Sequence, residues 1–207
     1  MQTIIYTSPT AIENEIEIIS QLLDAGADYL YIRKPELDDF SLVDYVESIP
    51  EKYWKQCIST SLIIAKEFDF GGYHFTRDIV QKNELYNEKI ISWLNESGKI
   101  SSVSAHSIEE MKKYAGIFKH VIVSPVFKSI SKENHSYDWN FGELNIVLTD
   151  CHASLAMTKF FAVGGVDETK ISIVKNLNFD GVGLLGALWN EPENAIDNFQ
   201  QIMKTIN

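Results

Sequence analysis

Eight short runs of apolar, β-branched and aromatic residues recur along the chain and alternate with longer amphipathic stretches. Most of the runs lack the apolar/polar alternation of a strand with one solvent-facing side, and continuous apolar runs are typical of strands buried on both faces of a parallel sheet. We therefore predict eight buried strands: TIIY (3–6), YLYI (29–32), QCIS (56–59), GYHF (72–75), ISSVS (100–104), HVIVS (120–124), KFFAV (159–163) and GVGLL (181–185).

The stretches between these runs place apolar residues three or four positions apart, which predicts amphipathic helices. Capping residues mark several helix starts, because a Ser, Thr, Asp or Asn side chain can accept a hydrogen bond from a free backbone N–H there. The predicted caps are Thr10 with Glu13, Ser107 with Glu110, Asp167 ahead of 168–177, and Asn190 with Pro192 and Glu193 ahead of the last helix.

Strand and helix therefore alternate about eight times, which favours either a (β/α)8 barrel or a doubly wound sheet. No GxGxxG or GxxxxGK[ST] motif follows the first strand, so the glycine-rich loop of nucleotide-binding doubly wound sheets is missing. No linker, low-complexity tract or internal repeat divides the 207 residues. We predict one α/β domain over 1–207, a single-domain (β/α)8 TIM barrel near the lower size limit of that fold, roughly 200 residues.

The charge of the chain narrows the set of partners. The 18 Lys and Arg residues and 29 Asp and Glu residues give a formal net charge of −11, with no basic stripe to attract a nucleic acid or an anionic membrane. The negative net charge is still compatible with a site for an anionic small molecule, because anion binding at a buried site depends on the donors around it. The N-terminus has no basic region and no apolar run reaches 18 residues. We expect a soluble, cytoplasmic protein whose two cysteines, Cys57 and Cys151, are reduced and buried.

In a (β/α)8 barrel, the functional site lies at the C-terminal ends of the strands. The segments at those positions are rich in Arg, Lys, hydroxyl groups and glycine and poor in carboxylates, which suits the oxygens of phosphate groups. The segments are Arg33-Lys34-Pro35, Ser59-Thr60-Ser61, Thr76-Arg77-Asp78, Ser104-Ala105-His106-Ser107, Ser124-Pro125 onward to Lys132, Gly164-Gly165 and Gly186-Ala187.

Glycines follow the last two predicted strands. Gly164 and Gly165 come after the seventh strand and Gly186 after the eighth, where barrels of this kind commonly bind phosphate. Glycine suits such a site because the backbone can approach the anion closely. The alternative is that these glycines only form left-handed turns. We favour a phosphate site, because both loops carry the feature.

Several motifs, in order along nearly the whole chain, resemble the thiamine phosphate synthase and thiazole tautomerase family. The most specific is SPVFKSISK (124–132), which is similar to the family's GP-x-F-x-T-x-T-K segment, with Ser129 and Ser131 in place of two threonines and Lys132 retained. The other motifs are YIRKPEL (31–37), GGYHFTRD (71–78), VSAHSIEE (103–110), FFAVGGV (160–166) and DGVGLLGAL (180–188).

The resemblance implies a (β/α)8 barrel that joins hydroxymethylpyrimidine diphosphate to a thiazole phosphate and releases pyrophosphate, so that its partners are small phosphorylated substrates. It also implies a homo-oligomer as one possible assembly. Carried over residue by residue, the implied contacts are Arg33, Ser104 and Lys132 with pyrophosphate, Ser129 and Ser131 with the thiazole, and Gly164, Gly165 and Gly186 with the thiazole phosphate.

The chain departs from the family at the implied magnesium site. Counted back from His74, the family's Asn-Asp-Arg at the end of strand three corresponds to Ser59-Thr60-Ser61, so that one metal-binding aspartate is missing. Asp78 remains as a metal ligand, one residue nearer His74 than the family's second metal aspartate. Mg²⁺ favours six oxygen ligands, so with a single carboxylate we expect Mg²⁺ as a cofactor only when diphosphate is bound.

Further departures leave alternatives to the synthase reaction. The tautomerase branch has a histidine where this chain has Pro125, whereas His106 remains as an acid/base candidate because imidazole titrates near neutrality. Strand alternation would turn Lys34 away from the face of Arg33 unless the strand ends there. We interpret His74 as a core or supporting residue. The alternatives are tautomerisation of a thiazole phosphate and a non-catalytic paralogue that binds thiamine precursors.

Overall fold

Eight parallel strands close into a barrel in the computed structural model, which describes residues 1–82, 84–128, 139–154 and 157–207. Consecutive strands pair in chain order, and the last strand pairs with the first. Each strand lies within one residue of its predicted bounds, which confirms the predicted single-domain (β/α)8 barrel. The strands are β1 (Gln2–Tyr6), β2 (Tyr29–Ile32), β3 (Cys57–Ser59), β4 (Gly72–Phe75), β5 (Ile100–Ala105), β6 (His120–Val123), β7 (Lys159–Val163) and β8 (Gly181–Leu184).

Helices connect the strands and surround the barrel. Three short 3₁₀ segments, Glu51–Gln56, Glu168–Lys170 and Pro192–Asn194, supplement them. The α-helices are α1 (Glu15–Asp24), α2 (Asp39–Glu47), α3 (Leu62–Glu67), α4 (Arg77–Lys82), α5 (Glu84–Glu96), α6 (Ile108–Tyr114), α7 (Phe141–Ser154), α8 (Ile171–Asn176), α9 (Gly186–Trp189) and α10 (Ala195–Ile206).

Side chains from each strand divide between two apolar regions, because successive residues of a strand point to opposite faces. Ile5 and Leu30 pack in the layer between the barrel and its helices, whereas their neighbours Ile4 and Tyr31 pack inside the barrel. The barrel interior also contains Phe161 of β7. Burial on both faces explains why the strands appear in the sequence as continuous apolar runs.

Two of the predicted helix caps are confirmed. The Ser107 side chain accepts a hydrogen bond from the backbone N–H of Glu110 at the start of α6. The Asp167 side chain accepts one from the backbone N–H of Thr169 at 2.9 Å, although a 3₁₀ turn precedes α8 there. The two cysteines are free and buried, as expected. No helix in the described ranges is long and apolar enough to cross a membrane.

The other two predicted caps are wrong. Helix α1 begins at Glu15 rather than next to Thr10, because the Thr10 hydroxyl and backbone N–H contact the Ser8 hydroxyl instead of a helix amide. Asn190 is the C-terminal cap of α9. Pro192 opens a 3₁₀ turn, so the last helix starts only at Ala195. At Thr10 the polar groups therefore bond to a neighbouring side chain, and at Pro192 a 3₁₀ turn takes the place of the expected helix start.

Candidate functional site

A cavity of about 560 Å³ lies at the C-terminal ends of the strands, in the size range of small-molecule sites. It contains two arginines, several hydroxyl groups, two histidines and a glycine-rich loop, and the described part of its lining has no Asp or Glu. The lining residues are Tyr6, Tyr31, Ile32, Arg33, Thr60, His74, Thr76, Arg77, Ser104, His106, Ile122, Ser124, Pro125, Val163, Gly164, Gly165, Val166, Gly183, Leu185 and Gly186.

Arg33 reaches the cavity because it continues the inward-facing positions of β2. Its backbone is held by Thr7, whose hydroxyl accepts a hydrogen bond from the Arg33 N–H at 2.9 Å and lies 3.1 Å from the Arg33 carbonyl oxygen. Lys34 points away, as alternation predicts. The Lys34 ammonium pairs at 2.5 Å with the buried carboxylate of Glu15 and lies 4.8 Å from the centre of the Tyr45 ring. Of the two neighbouring cations, only Arg33 is available to a ligand in the cavity.

Arg77 and His106 share a carboxylate partner behind the cavity. One oxygen of Glu110 lies 3.5 Å from the Arg77 guanidinium, and the other accepts a hydrogen bond from the His106 backbone N–H at 2.7 Å. The His106 ring donates from Nδ1 to the carbonyl oxygen of Ser124. A neutral His106 therefore carries its lone pair on Nε2, which leaves that nitrogen able to accept a proton.

The loops after β6 and β7 bind each other through backbone groups. The Val126 N–H donates to the Val163 carbonyl at 2.9 Å, and the Phe127 N–H donates to the Gly164 carbonyl at 3.1 Å. Gly164 and Gly165 have φ angles of +92° and +68°, which lie in the left-handed region. They form left-handed turns, and they also line the cavity where the phosphate site is predicted.

Some of the predicted site residues belong to the part of the chain that the structure describes, and the others lie outside it. Arg33, Ser104, His106 and the glycines 164, 165 and 186 line one cavity. Ser129, Ser131 and Lys132 lie outside the described residues. The barrel thus gathers these predicted residues from the ends of four strands, β2, β5, β7 and β8, because parallel strands end at one rim.

His74 lies at the cavity itself, whereas the sequence indicates a core or supporting residue. It lines the cavity, and its Nδ1 lies 2.9 Å from the Ser102 hydroxyl while its Nε2 lies 3.3 Å from the Ser104 hydroxyl. Burial, followed by the positive charge of Arg33, lowers the pKa of His74 to about 4. His74 is therefore a neutral imidazole at pH 7.

A second histidine, His120, is buried in the barrel with 3% of its surface exposed. Burial and the charges of Lys159 and Lys119 lower its pKa to about 3. An unfolded histidine titrates near 6.5, so the unfolded chain binds more protons between pH 6.5 and about 3, and the free energy of unfolding falls on acidification through that range.

We expect the His120→Phe variant to lose less stability on acidification than the natural chain. One buried histidine of this kind contributes a loss of about 1.4 kcal/mol per pH unit below 6.5, or about 2 kcal/mol by pH 5. Urea unfolding at pH 7 and pH 5 measures the difference. The variant keeps the share of the acid-induced loss of stability that comes from His74. Equal losses in the two proteins would contradict a neutral, buried His120.

The described residues do not form a metal centre. No group of three or more His, Cys, Asp or Glu side chains within those residues could hold an ion. Thr60 lines the cavity at the end of β3, where the family's aspartate is expected, and Asp78 is exposed on the first turn of α4, outside the described lining. Because Mg²⁺ sites normally include at least one carboxylate, the described donor set does not fit a metal held by the protein alone.

Two groups in the cavity had no assigned role in the sequence-based prediction. Arg77 is the second residue after β4 and lies in the strand-end segment Thr76-Arg77-Asp78, which the sequence pattern already indicates as suited to phosphate. Tyr31 lies within β2, two residues before Arg33, and only its inward register brings it to the cavity floor. Within a buried strand, the neighbouring sequence does not distinguish an aromatic residue that lines a site from one that packs in the core.

Comparison with known proteins agrees with this geometry. The model of the family described as thiamine monophosphate synthase matches residues 3–188. The structure resembles that of thiamine phosphate pyrophosphorylase from Bacteroides thetaiotaomicron, with 25% identity and a TM-score of 0.77, over 99% of this chain and 97% of that chain. A search among curated proteins gave no significant match.

More distant structures share the fold. The thiamine phosphate pyrophosphorylase from Pyrococcus furiosus is 14% identical, with a TM-score of 0.76 over 99% of this chain and 95% of that one. A 3-hexulose-6-phosphate synthase is 13% identical, with a TM-score of 0.70 over the full length of both chains. At these identities the likeness concerns the barrel alone.

Proposed function

The chain belongs to the thiamine monophosphate synthase family, and from this premise we propose that it joins hydroxymethylpyrimidine diphosphate to a thiazole phosphate. In this reaction the bond between the pyrimidine methylene carbon and the diphosphate oxygen breaks, and a bond between that carbon and the thiazole nitrogen forms. Pyrophosphate leaves with the electron pair of the broken bond. The site therefore has to stabilise a departing polyanion and hold two rings in line.

One observation carries the proposal. The described lining of the cavity combines Arg33 and Arg77 with hydroxyl groups and a glycine loop, and it contains no carboxylate. The two arginines attract phosphate oxygens from two directions, and the described lining has no negative charge that would repel an anion. Its capacity of about 560 Å³ is sufficient for two small phosphorylated molecules.

We assign the pyrophosphate to the side of the cavity formed by Arg33 and Ser104, and the family resemblance implies Lys132 as a further contact. The thiazole phosphate is assigned to the opposite side, where backbone N–H groups of Gly164, Gly165 and Gly186 can approach an anion closely. The thiazole ring itself is assigned to Ser129 and Ser131. In this arrangement the chain binds and orients the substrates, and its donors stabilise the charge that develops on the leaving group.

Purified protein incubated with both substrates and Mg²⁺ tests the function through the appearance of thiamine phosphate and pyrophosphate. Binding of both substrates without product would point to the non-catalytic paralogue. A second candidate is tautomerisation of a thiazole phosphate, favoured by the proton-accepting Nε2 that His106 has when its Nδ1 binds Ser124. Isomerisation of the thiazole phosphate alone, followed by NMR, separates this candidate from the synthase.

We propose that Mg²⁺ enters only together with diphosphate, because the described protein ligands do not hold it alone. Calorimetry is expected to show no Mg²⁺ binding to the free chain and binding in the presence of pyrophosphate. The Thr60→Asp variant adds a carboxylate to the lining, so pyrophosphate affinity in Mg²⁺ should rise several-fold. Ser61→Asp, one residue further along, is the control. Equal effects of the two variants would contradict the alignment of Thr60 with the metal position.

A further inference from the structure

A chain of four hydrogen bonds runs through the interior of the barrel from the cavity to the far end. It starts at the Ser104 hydroxyl, 3.3 Å from His74 Nε2, and His74 Nδ1 lies 2.9 Å from the Ser102 hydroxyl. The Tyr31 hydroxyl lies 2.9 Å from that of Ser102 and 3.1 Å from Nδ1 of His120. We name these five residues the interior chain.

The interior chain connects four strands. Ser102 and Ser104 belong to β5, His74 to β4, Tyr31 to β2 and His120 to β6. All five side chains occupy inward-facing positions, and the three members furthest from the mouth are buried, with Ser102 fully buried and Tyr31 and His120 at 2% and 3% exposure. Burying a polar group without a hydrogen-bond partner costs free energy, and each of these three side chains has a partner within the interior chain.

If Ser102 and Tyr31 each donate their hydrogen to a neighbour within the interior chain, the hydrogens can be ordered in two directions. Each hydroxyl has one hydrogen to donate, and a neutral imidazole has one N–H. If Tyr31 donates to Ser102, then Ser102 donates to Nδ1 of His74, and the N–H of His74 must lie on Nε2. If Ser102 donates to Tyr31, every bond reverses, and His74 carries its N–H on Nδ1. The tautomers of the two histidines therefore report the direction of the whole chain.

A phosphate oxygen in the cavity selects one of these directions. An anion accepts hydrogen bonds and donates none, so the Ser104 hydroxyl has to donate its hydrogen to the ligand. The Ser104 oxygen can then accept only from Nε2–H of His74. Following the chain inward, Tyr31 donates to Ser102, and His120 donates from Nδ1 to Tyr31.

We propose that the interior chain is polarised toward the cavity when an anion is bound, so that Tyr31 acts as a positioning residue that holds Ser104, through Ser102 and His74, as a hydrogen-bond donor to pyrophosphate. The inference rests on the proposed function, since it takes the pyrophosphate side of the cavity to be the side of Ser104. The low pKa values of both histidines are consistent with it, because a protonated imidazole would donate at both nitrogens and break the order.

The first test is the tautomer of each histidine with inorganic pyrophosphate bound. In protein labelled with ¹⁵N-histidine, long-range ¹H–¹⁵N spectra separate a protonated Nε2 from a protonated Nδ1. We expect His74 to carry its hydrogen on Nε2 and His120 on Nδ1, with the two signals assigned by single substitutions. The opposite pair of tautomers would overturn the proposal. A merely structural chain of hydrogen bonds would not require one direction.

The second test removes a single hydroxyl from the interior chain. Tyr31→Phe is expected to weaken pyrophosphate binding about three- to tenfold, the worth of one hydrogen bond, and to let His74 populate both tautomers. The control is Tyr29→Phe, which deletes a hydroxyl two residues away on the same face of β2. That hydroxyl accepts from the side chain of Gln2 at 3.2 Å and lies outside the interior chain.

A third variant separates loss of the Tyr31 donor from a general disturbance of the barrel interior, because His120 is buried beside Tyr31 and does not line the cavity. In the reversed order Tyr31 donates to Nδ1 of His120, so His120→Phe removes the acceptor that this order needs and leaves Ser102 as the partner of Tyr31 in the interior chain. Pyrophosphate binding by His120→Phe should therefore stay within about twofold of that of the natural chain. Equal affinities of Tyr31→Phe and Tyr29→Phe, or a loss in His120→Phe as large as that in Tyr31→Phe, would overturn the proposal while pyrophosphate binding by the natural chain upholds the function. If the natural chain does not bind pyrophosphate, both the inference and the proposed function fail.

Discussion

Replacing Arg33 by glutamine is expected to lower pyrophosphate affinity about ten- to a hundredfold, because the change removes a charged donor from a cavity whose described lining has no negative charge. Glutamine is shorter but keeps a neutral polar end on the same first carbons, and the backbone bonds between Arg33 and Thr7 stay in place. The variant should therefore fold normally. Calorimetry with pyrophosphate and the kcat/KM of thiamine phosphate formation both measure the loss.

Two substitutions serve as controls for this effect. Arg77→Gln removes the same group from the same cavity, but the Arg77 guanidinium already pairs with Glu110, so the loss should stay below about fivefold. Lys52→Gln removes one positive charge from an exposed ion pair with Asp24 and should leave affinity unchanged. A loss in Arg33→Gln no larger than in Lys52→Gln would show that Arg33 does not contact the anion.

The second large effect is expected for Gly165→Ala. At its φ of +68° an added Cβ would overlap the carbonyl oxygen of Lys128 and lie 2.9 Å from Cβ of Phe127. Both contacts lie in the loop after β6, which therefore has to move away from the loop after β7. We expect unfolding to become easier by about 2–5 kcal/mol, from backbone strain and overpacking together. Phosphate binding should fall as well, because the two loops form one wall of the cavity.

Gly98→Ala separates backbone strain from crowding. Gly98 has nearly the same φ, +69°, and no atom lies within 4 Å of an added Cβ there. Its variant should lose only about 1–2 kcal/mol, with unchanged pyrophosphate affinity. Urea unfolding of both variants gives the comparison. Similar losses in the two would mean that Gly165 is needed for its conformation alone and not for the contact between the loops.

The proposed synthase reaction has to proceed without the aspartate that the family resemblance implies at the position of Thr60. In the described cavity, Thr60 stands where a carboxylate is expected, and the nearest remaining candidate, Asp78, faces solvent. Two guanidinium groups supply positive charge in the same cavity. If the calorimetry shows Mg²⁺ binding only with pyrophosphate, then the cations of the chain and the ion carried by the diphosphate share the neutralisation of the leaving group.

The strands and their order followed from the sequence, because a strand buried on both faces must be apolar along its whole length. Runs such as YLYI and KFFAV have this property, and they lie within one residue of β2 and β7. The barrel also placed Arg33, Ser104 and Gly164 at one rim, since parallel strands end on the same side. That part of the site was predictable from strand ends alone.

Helix starts were less predictable from the sequence, because capping motifs compete with other partners for the same polar atoms. Thr10 has the right type and spacing for a cap, but its hydroxyl contacts Ser8. Glu15 then begins α1 and pairs with Lys34, a residue 19 positions away. A local pattern cannot report a partner that only folding brings within reach.

The same reason explains why the interior chain was invisible in the sequence. Tyr31 is 71 residues from Ser102 and 89 from His120, yet their polar atoms lie about 3 Å apart inside the barrel. The sequence by itself determined that these residues lie in strands. Only closure of the barrel decided that they face one another, because the inward register of four strands sets their distances and no short-range motif encodes it.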